Sequence, residues 1–369
     1  MPKIEYLLVY DSSKRAFLKK TFCFSNEKIE ESCTDNDVIS TTGKYIIPGL
    51  IDVHTHGRQG IDIMTASESE LSRLSLEYAK TGVTTAFPTV MTAPIDDVKS
   101  AIKRIKSAAS LGADFCGIHI EGPYISKKKL GCHNSEYVRK PDLSEMTLLV
   151  NDISPMKTHF TIAPEECDPS LIELLSKKAS IGIGHTAASM NDAMNALALG
   201  AVSFTHTFNA MTPLGHRDPG CVGAALNSSA FAEFICDGFH IDPAVISISY
   251  KIKKADKFVL ITDSIPQAGM ENGDYTMNGI PFSLNGKSAK RSDGTIVGSA
   301  LDMLGAVKDL AEYANIPFEE ALICGTKTPA DMMGLSDRGT LDIGKRADFV
   351  ILDNDKNISS VYVGGKKIV

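Results

Sequence analysis

The chain has 369 residues, of which 43% are hydrophobic and 22% charged, and its formal net charge is −7. These values exclude a disordered chain, and they exclude a general nucleic-acid binder, which would carry a basic face. They leave room for one anionic small molecule held by a few local cations, and the length suits a barrel of about 250 residues with a smaller module.

The N-terminal stretch alternates short apolar runs with turn residues: Tyr6 to Tyr10, then Asp11-Ser12-Ser13, then Phe17-Leu18. The C-terminal stretch has the same style, with Gly339 to Lys345 leading into Ala347 to Leu352 and a closing hairpin at Val361 to Gly365. Short strands bounded by turn residues predict one small β-sandwich domain made of residues 1–48 and 334–369.

Between them, residues 49–333 alternate β-rich apolar runs with helical spacing. Candidate strands end at His56, Thr89, Glu121, Pro164, His185, His206, His240 and Asp263. Leu71, Leu74 and Tyr78 form one helical stripe, and Val98, Ile102 and Ile105 another. Eight strand-like runs with helices between most of them predict an α/β protein, a (β/α)₈ TIM-like barrel. The strand at Thr158–Pro164 and the sixth helix carry the weakest signals.

Met1 to Glu5 opens no signal-peptide apolar region and no long uncharged apolar span occurs, so no membrane contact and a cytoplasmic location are expected. The eight cysteines include no C-x-x-C and several sit in apolar runs, which reads as small buried thiols in a reducing compartment.

The run Tyr45 to Val53 reads as a buried strand that ends in His54-Thr55-His56. Residues i and i+2 share a strand face, so two imidazoles can grip one metal ion at the strand end where barrel enzymes keep their sites. An isolated H-x-H is more often a hydrogen-bonded surface pair. Here nearly all of the nine histidines fall at or just beyond strand ends, beside Glu121 and Asp263. Converging His and carboxylate groups are what a catalytic metal needs.

The motifs Pro48 to Gly57, His119-Ile120-Glu121-Gly122-Pro123, Gly131-Cys132-His133-Asn134, Gly184-His185-Thr186, Thr205 to Met211, Asp237-Gly238-Phe239-His240 and Thr262-Asp263 run nearly end to end. They resemble the N-acetylglucosamine-6-phosphate deacetylase family of the amidohydrolase superfamily. The resemblance implies one or two divalent metals per subunit (Zn, Fe, Mn or Co), with His54 and His56 on one and His185 and His206 on the other. Glu121 takes the bridging place, and Asp263 serves as metal contact and catalytic acid/base. It implies that His133 polarises the substrate carbonyl and that Asn209, Ala210, Arg217 and His240 hold an amino-sugar phosphate. Because some family members borrow such groups from a neighbouring subunit, it also implies a homodimer or a dimer of dimers. The expected reaction removes the N-acetyl group from N-acetyl-D-glucosamine 6-phosphate. The galacto epimer or another amide is the nearest rival substrate. A non-catalytic scaffold is disfavoured because the ligand positions are all present.

Other residues carry plainer readings. Lys127-Lys128-Lys129 reads as an exposed loop with Gly131 as a pivot. His119 reads as a ligand or a support for one, His216 as a loop residue, and Asp237 as a strand-end structural carboxylate.

Overall fold

The computed structural model describes residues 3–369 except 5, 6, 26, 34–37, 40, 42, 278 and 279. Met1, Pro2 and Glu5 of the expected leaderless start, and Tyr6 of the first expected strand, lie outside the described residues.

Eight parallel strands form the barrel: Leu50–Thr55, Val83–Met91, Gly117–Glu121, Lys157–Ile162, Ser180–Ile183, Ser203–Phe204, Phe231–Ile235 and Phe258–Ile261. Their apolar, β-branched sequences suit strands covered on both faces, and most of their residues are buried. The circle closes where His56 N–H donates to the Ser264 carbonyl and Asp263 N–H to the His54 carbonyl, each at 2.9 Å. Thr262 strengthens that seam by donating its hydroxyl to the buried Asp52 carboxylate at 2.5 Å.

Helices alternate with the strands. Glu68–Ala79 starts at a Ser67–Glu70 capping box and Met190–Ala198 at a Ser189–Asp192 box, which satisfy the first free N–H groups. The predicted stripes Leu71, Leu74, Tyr78 and Val98, Ile102, Ile105 are buried in one large cluster with the barrel strands. The weakly signalled sixth helix is Gly220–Asn227. Arg338, just beyond the last helix, Lys327–Met333, is buried and binds Asp114 at 2.8 Å, the Thr85 hydroxyl at 3.0 Å and Asp337 at 3.0 Å.

Strands from both chain ends share one six-stranded sheet, in the order Lys366–Lys367, Ile358–Val363, Phe349–Leu352, Tyr45–Pro48, Leu8–Asp11, Ala16–Lys19. A three-stranded sheet of Lys3–Ile4, Phe22–Ser25 and Lys28–Glu30 packs on it through Ile4, Phe22, Phe24, Ile46, Phe349, Ile351 and Tyr362.

Three features depart from expectation. Cys23 and Cys33 form a disulfide, with Cα atoms 5.5 Å apart, because the Phe22–Ser25/Lys28–Glu30 hairpin folds their segments together. Cys132 is exposed, so only some of the remaining thiols are buried. Residues Gly273–Met277, Ile280–Asn285, Ser288–Lys290 and Ile296–Ser299 form a four-stranded sheet inserted after the eighth barrel strand. Of this sheet only Gly294 to Ser299 stands out in the sequence, because such short two-sided strands give little periodicity. No helix among the described residues is long and apolar enough to cross a membrane.

Candidate functional site

The site is built from the C-terminal ends of the barrel strands. His54 and Glu121 lie within their strands. His185, His206 and Asp263 instead stand two residues beyond strands ending at Ile183, Phe204 and Ile261. All three have left-handed backbone, with φ of +47°, +31° and +48°. Non-glycine residues in this region store roughly 1–3 kcal/mol of strain each, which the surrounding structure must offset. The same turn at three strand ends aims His185 and His206 at Glu121 and Asp263 at the His54–His56 pair. The strands therefore end earlier than the histidine positions predict.

Glu121 is the hub. Its Oε1 lies 3.0 Å from His206 Nε2, 3.2 Å from His185 Nε2 and 3.4 Å from His54 Nε2. Its Oε2 lies 3.3 Å from His56 Nε2 and 3.5 Å from His133 Nε2. Asp263 Oδ1 faces the first pair, 3.0 Å from His56 Nε2 and 3.4 Å from His54 Nε2. Among the described residues, two groups can hold a metal ion: His54, His56 and Glu121, and Glu121, His185 and His206.

The donor chemistry fits a divalent cation. Within each pair the Nε2 atoms approach to 3.2 Å (His54 and His56) and 3.0 Å (His185 and His206). Imidazole lone pairs and carboxylate oxygens converge there, and a cation relieves their mutual repulsion. His185 is oriented by donating Nδ1–H to the Lys129 carbonyl at 2.9 Å, which leaves Nε2 as the ligand atom. Burial alone would raise the Glu121 carboxyl, but His54, His133, His185 and His206 hold it well below the ordinary carboxylate range.

His133, which could have been a surface residue, is buried, and neither ring nitrogen has a hydrogen-bond partner. Burial and the neighbouring His185 pull it down to about 4, so the ring is neutral and free to meet a ligand. Asn209 is half-buried and bonded through Nδ2 to the His206 carbonyl at 3.2 Å. Ala210 takes left-handed backbone, with φ of +49°, and its carbonyl accepts from Thr186 N–H.

His240 does not end a strand; its strand stops at Ile235, and a turn through Gly238 (φ +77°) carries His240 beyond it. Arg217 is exposed on the loop before Gly220–Asn227, as is His216, and makes no ion pair among the described residues. The structure thus brings together the six metal-type residues and His133, and leaves Arg217 apart.

A polar layer lies in the same strands; sequence reasoning anticipated a supporting role for His119 and missed the His159–Glu233 pair behind it. His119 is bonded by Thr89 at 3.2 Å and Thr161 at 2.7 Å, so it supports His54, whose ring lies 4.4 Å away, and joins neither metal-type group. Behind it, His159 Nε2 lies 3.3 Å from Glu233 Oε1, and Ser203 also donates to that carboxylate, at 3.0 Å. Histidine and glutamate at alternate strand positions were the only available signal.

The amidohydrolase family model matches residues 45–368. The chain belongs to the amidohydrolase family. It is 32% identical over 330 residues to N-acetylglucosamine-6-phosphate deacetylase of Vibrio furnissii, covering 88% of this chain and 82% of that protein. It is also 32% identical over 347 residues to N-acetylgalactosamine-6-phosphate deacetylase of Escherichia coli O157:H7, covering 92% and 90%. A solved variant of N-acetyl-D-glucosamine-6-phosphate deacetylase from Mycobacterium smegmatis, in complex with N-acetyl-D-glucosamine 6-phosphate, superposes with a TM-score of 0.89. That likeness comes at 25% identity and covers 100% of this chain and 98% of that one.

Proposed function

We propose that this amidohydrolase removes the N-acetyl group of N-acetyl-D-glucosamine 6-phosphate, giving D-glucosamine 6-phosphate and acetate. The observation that carries this reading is the Glu121 carboxylate shared by two histidine pairs, with Asp263 on one side and the unpartnered His133 ring on the other. Relatives similar over most of the chain bear the name of this activity.

His54, His56, Glu121, His185, His206 and Asp263 would hold one or two divalent ions. When bound, such an ion lowers the pKa of water from about 16 to about 7, so hydroxide is available at neutral pH. Asp263 accepts the proton of the attacking water and returns it to the departing amine. His133 donates to the acetyl oxygen as negative charge develops on it. His240 and Arg217 bind the phosphate, and Asn209 and Ala210 steady the sugar phosphate. Mixed nitrogen and oxygen ligands suit Zn, Fe, Mn or Co.

In this reading Arg217 reaches substrate in a second copy of the chain and the working unit is a homodimer or dimer of dimers; its exposure beside the 57%-exposed Leu214 supports this. Residues 49–333 supply the chemistry on a support made of 1–48 and 334–369. The six free cysteines support a cytoplasmic location, and the Cys23–Cys33 disulfide weighs against it.

The test is acetate release with metal analysis on purified protein, repeated for Asp263→Asn. We expect acetate from the wild type, and from the variant retained metal with a rate lower by roughly 10²–10⁴-fold. No acetate from any hexosamine phosphate overturns the reading. Equal turnover of the galacto epimer extends it to both C4 configurations.

A further inference from the structure

Asp237 is more than the end of a strand. Its Oδ1 accepts from the backbone N–H groups of Phe239 and His240, each at 2.8 Å, and its Oδ2 meets His240 Nδ1 at 2.6 Å. The carboxylate is buried; one contact holds the imidazole and the other two hold the backbone that carries it. They fix the ring's rotamer and tautomer and leave Nε2 as its free end.

The inserted sheet adds a second cation. Lys290, on the short strand Ser288–Lys290, lies with Nζ 4.6 Å from the centroid of the Phe239 ring, one residue before His240. It makes no ion pair among the described residues. The Phe239 ring is 45% exposed, so its face gives the ammonium a fixed seat without neutralising it.

We propose that Asp237 and Lys290 complete a phosphate-recognition unit around His240, with Asp237 as positioning residue and Lys290 as the cation that the inserted sheet contributes. This rests on the reading of His240 as a phosphate contact. Lys290, seated on the neighbouring Phe239 ring, is near enough to oppose the charge on His240, and an anion held by both turns that opposition into affinity. The groups facing His240 are Asp237, Asp263 and Lys290. Burial works against its charge, and Lys290 does too, yet the Asp237 bond and the two carboxylates outweigh them and raise it above the ordinary histidine value. His240 is therefore cationic below that raised value, and phosphate affinity falls as pH rises through it. Removing the Asp237 charge moves the fall to lower pH.

The experiment measures calorimetric binding of glucose 6-phosphate and of glucose to the metal-loaded protein, alongside kcat and KM for N-acetylglucosamine 6-phosphate. Wild type, Asp237→Asn, Lys290→Met and Lys290→Arg are compared across pH. We expect Asp237→Asn and Lys290→Met each to weaken glucose 6-phosphate binding and raise KM by about tenfold, with kcat held within about twofold, the usual scale for one charge-assisted contact. Lys290→Arg restores binding, and Asp237→Asn shifts the pH profile downward. Unchanged affinity in both variants overturns the proposal, as does loss of kcat without change in binding, or a wild type that does not prefer the phosphorylated sugar. A wild type that binds the sugar phosphate but releases no acetate would overturn the proposed reaction while leaving this inference in place.

Discussion

His185 donates its Nδ1–H to the backbone carbonyl of Lys129 across 2.9 Å, so the loop after the third barrel strand fixes a metal-type ligand on the fifth. The lysine side chain takes no part. Replacing Lys127, Lys128 and Lys129 together with Ala should leave kcat/KM within about threefold, as exposed charges usually allow. Gly131→Ala should not be tolerated. Its φ is +58°, and an added Cβ would lie 3.0 Å from His185 Cε1. Loss of that support should reduce metal affinity or activity by roughly 10–100-fold, read by metal titration and acetate release.

Sharing of Glu121 makes the two metal groups unequal under mutation. Glu121→Ala removes a ligand from both groups, whereas His56→Ala leaves Glu121, His185 and His206 intact. Elemental analysis should find His56→Ala still holding metal and Glu121→Ala holding almost none. If Glu121→Ala kept a full metal complement, the hub role would be wrong.

Chelation should lower the melting temperature of the wild type, because an ion that binds only the folded chain stabilises it by RT ln(1 + [L]/Kd), about 2.7 kcal/mol at 100 times Kd. The chelator-induced drop in Tm should be small for Glu121→Ala. An equal drop in both proteins would place the stabilising ion elsewhere.

Arg338 is a purely structural cation far along the chain from the site residues. Arg338→Met leaves Asp114 and the buried Thr85 hydroxyl without their partner. Asp114 keeps 27% of its side chain exposed, so losing its partner costs about 1–3 kcal/mol, less than for a fully buried pair. Denaturant titration should show that loss, while the folded fraction keeps its metal content.

Thr262→Val tests the barrel seam. The change preserves shape but removes the hydroxyl that bonds the buried Asp52 at 2.5 Å, leaving weaker backbone contacts from Thr262 and His54. The expected loss is about 1–3 kcal/mol. A neutral result would show that the backbone donors suffice.

Much of this architecture was legible because the chemistry follows strand ends. The i, i+2 rule places His54 and His56 together, and a carboxylate in the apolar run Phe115 to Ile120 has to find partners. The left-handed turns at His185, His206 and Asp263 were not legible, because none of the three left-handed residues is itself a glycine. His240 was misplaced as a strand end because the two residues Asp237-Gly238 turn the chain away from its strand, and Arg217, which the family resemblance alone picked out, makes no ion pair among the described residues. The Cys23–Cys33 bond escaped because a ten-residue separation has no motif, and only the hairpin pairing brings the two together.

The strand Tyr45–Pro48 continues through Gly49 directly into the strand that carries His54, and its neighbour in the sheet is Phe349–Leu352. Gly49 itself is tied by a 2.9 Å bond to the Asp348 carbonyl. A ribosome adding roughly 5–20 residues per second makes the first partner and then takes on the order of tens of seconds to deliver the second. The segment leading to the first histidine pair is thus among the earliest parts of the barrel to be synthesised; Leu8–Asp11 and Val83–Met91 flank it early, and its Phe349–Leu352 edge is closed last. A nascent chain halted before Phe349 would carry every metal-type side chain and still lack one of the two strands that flank the approach to His54, so comparing its metal uptake with that of the finished chain measures what that late strand contributes.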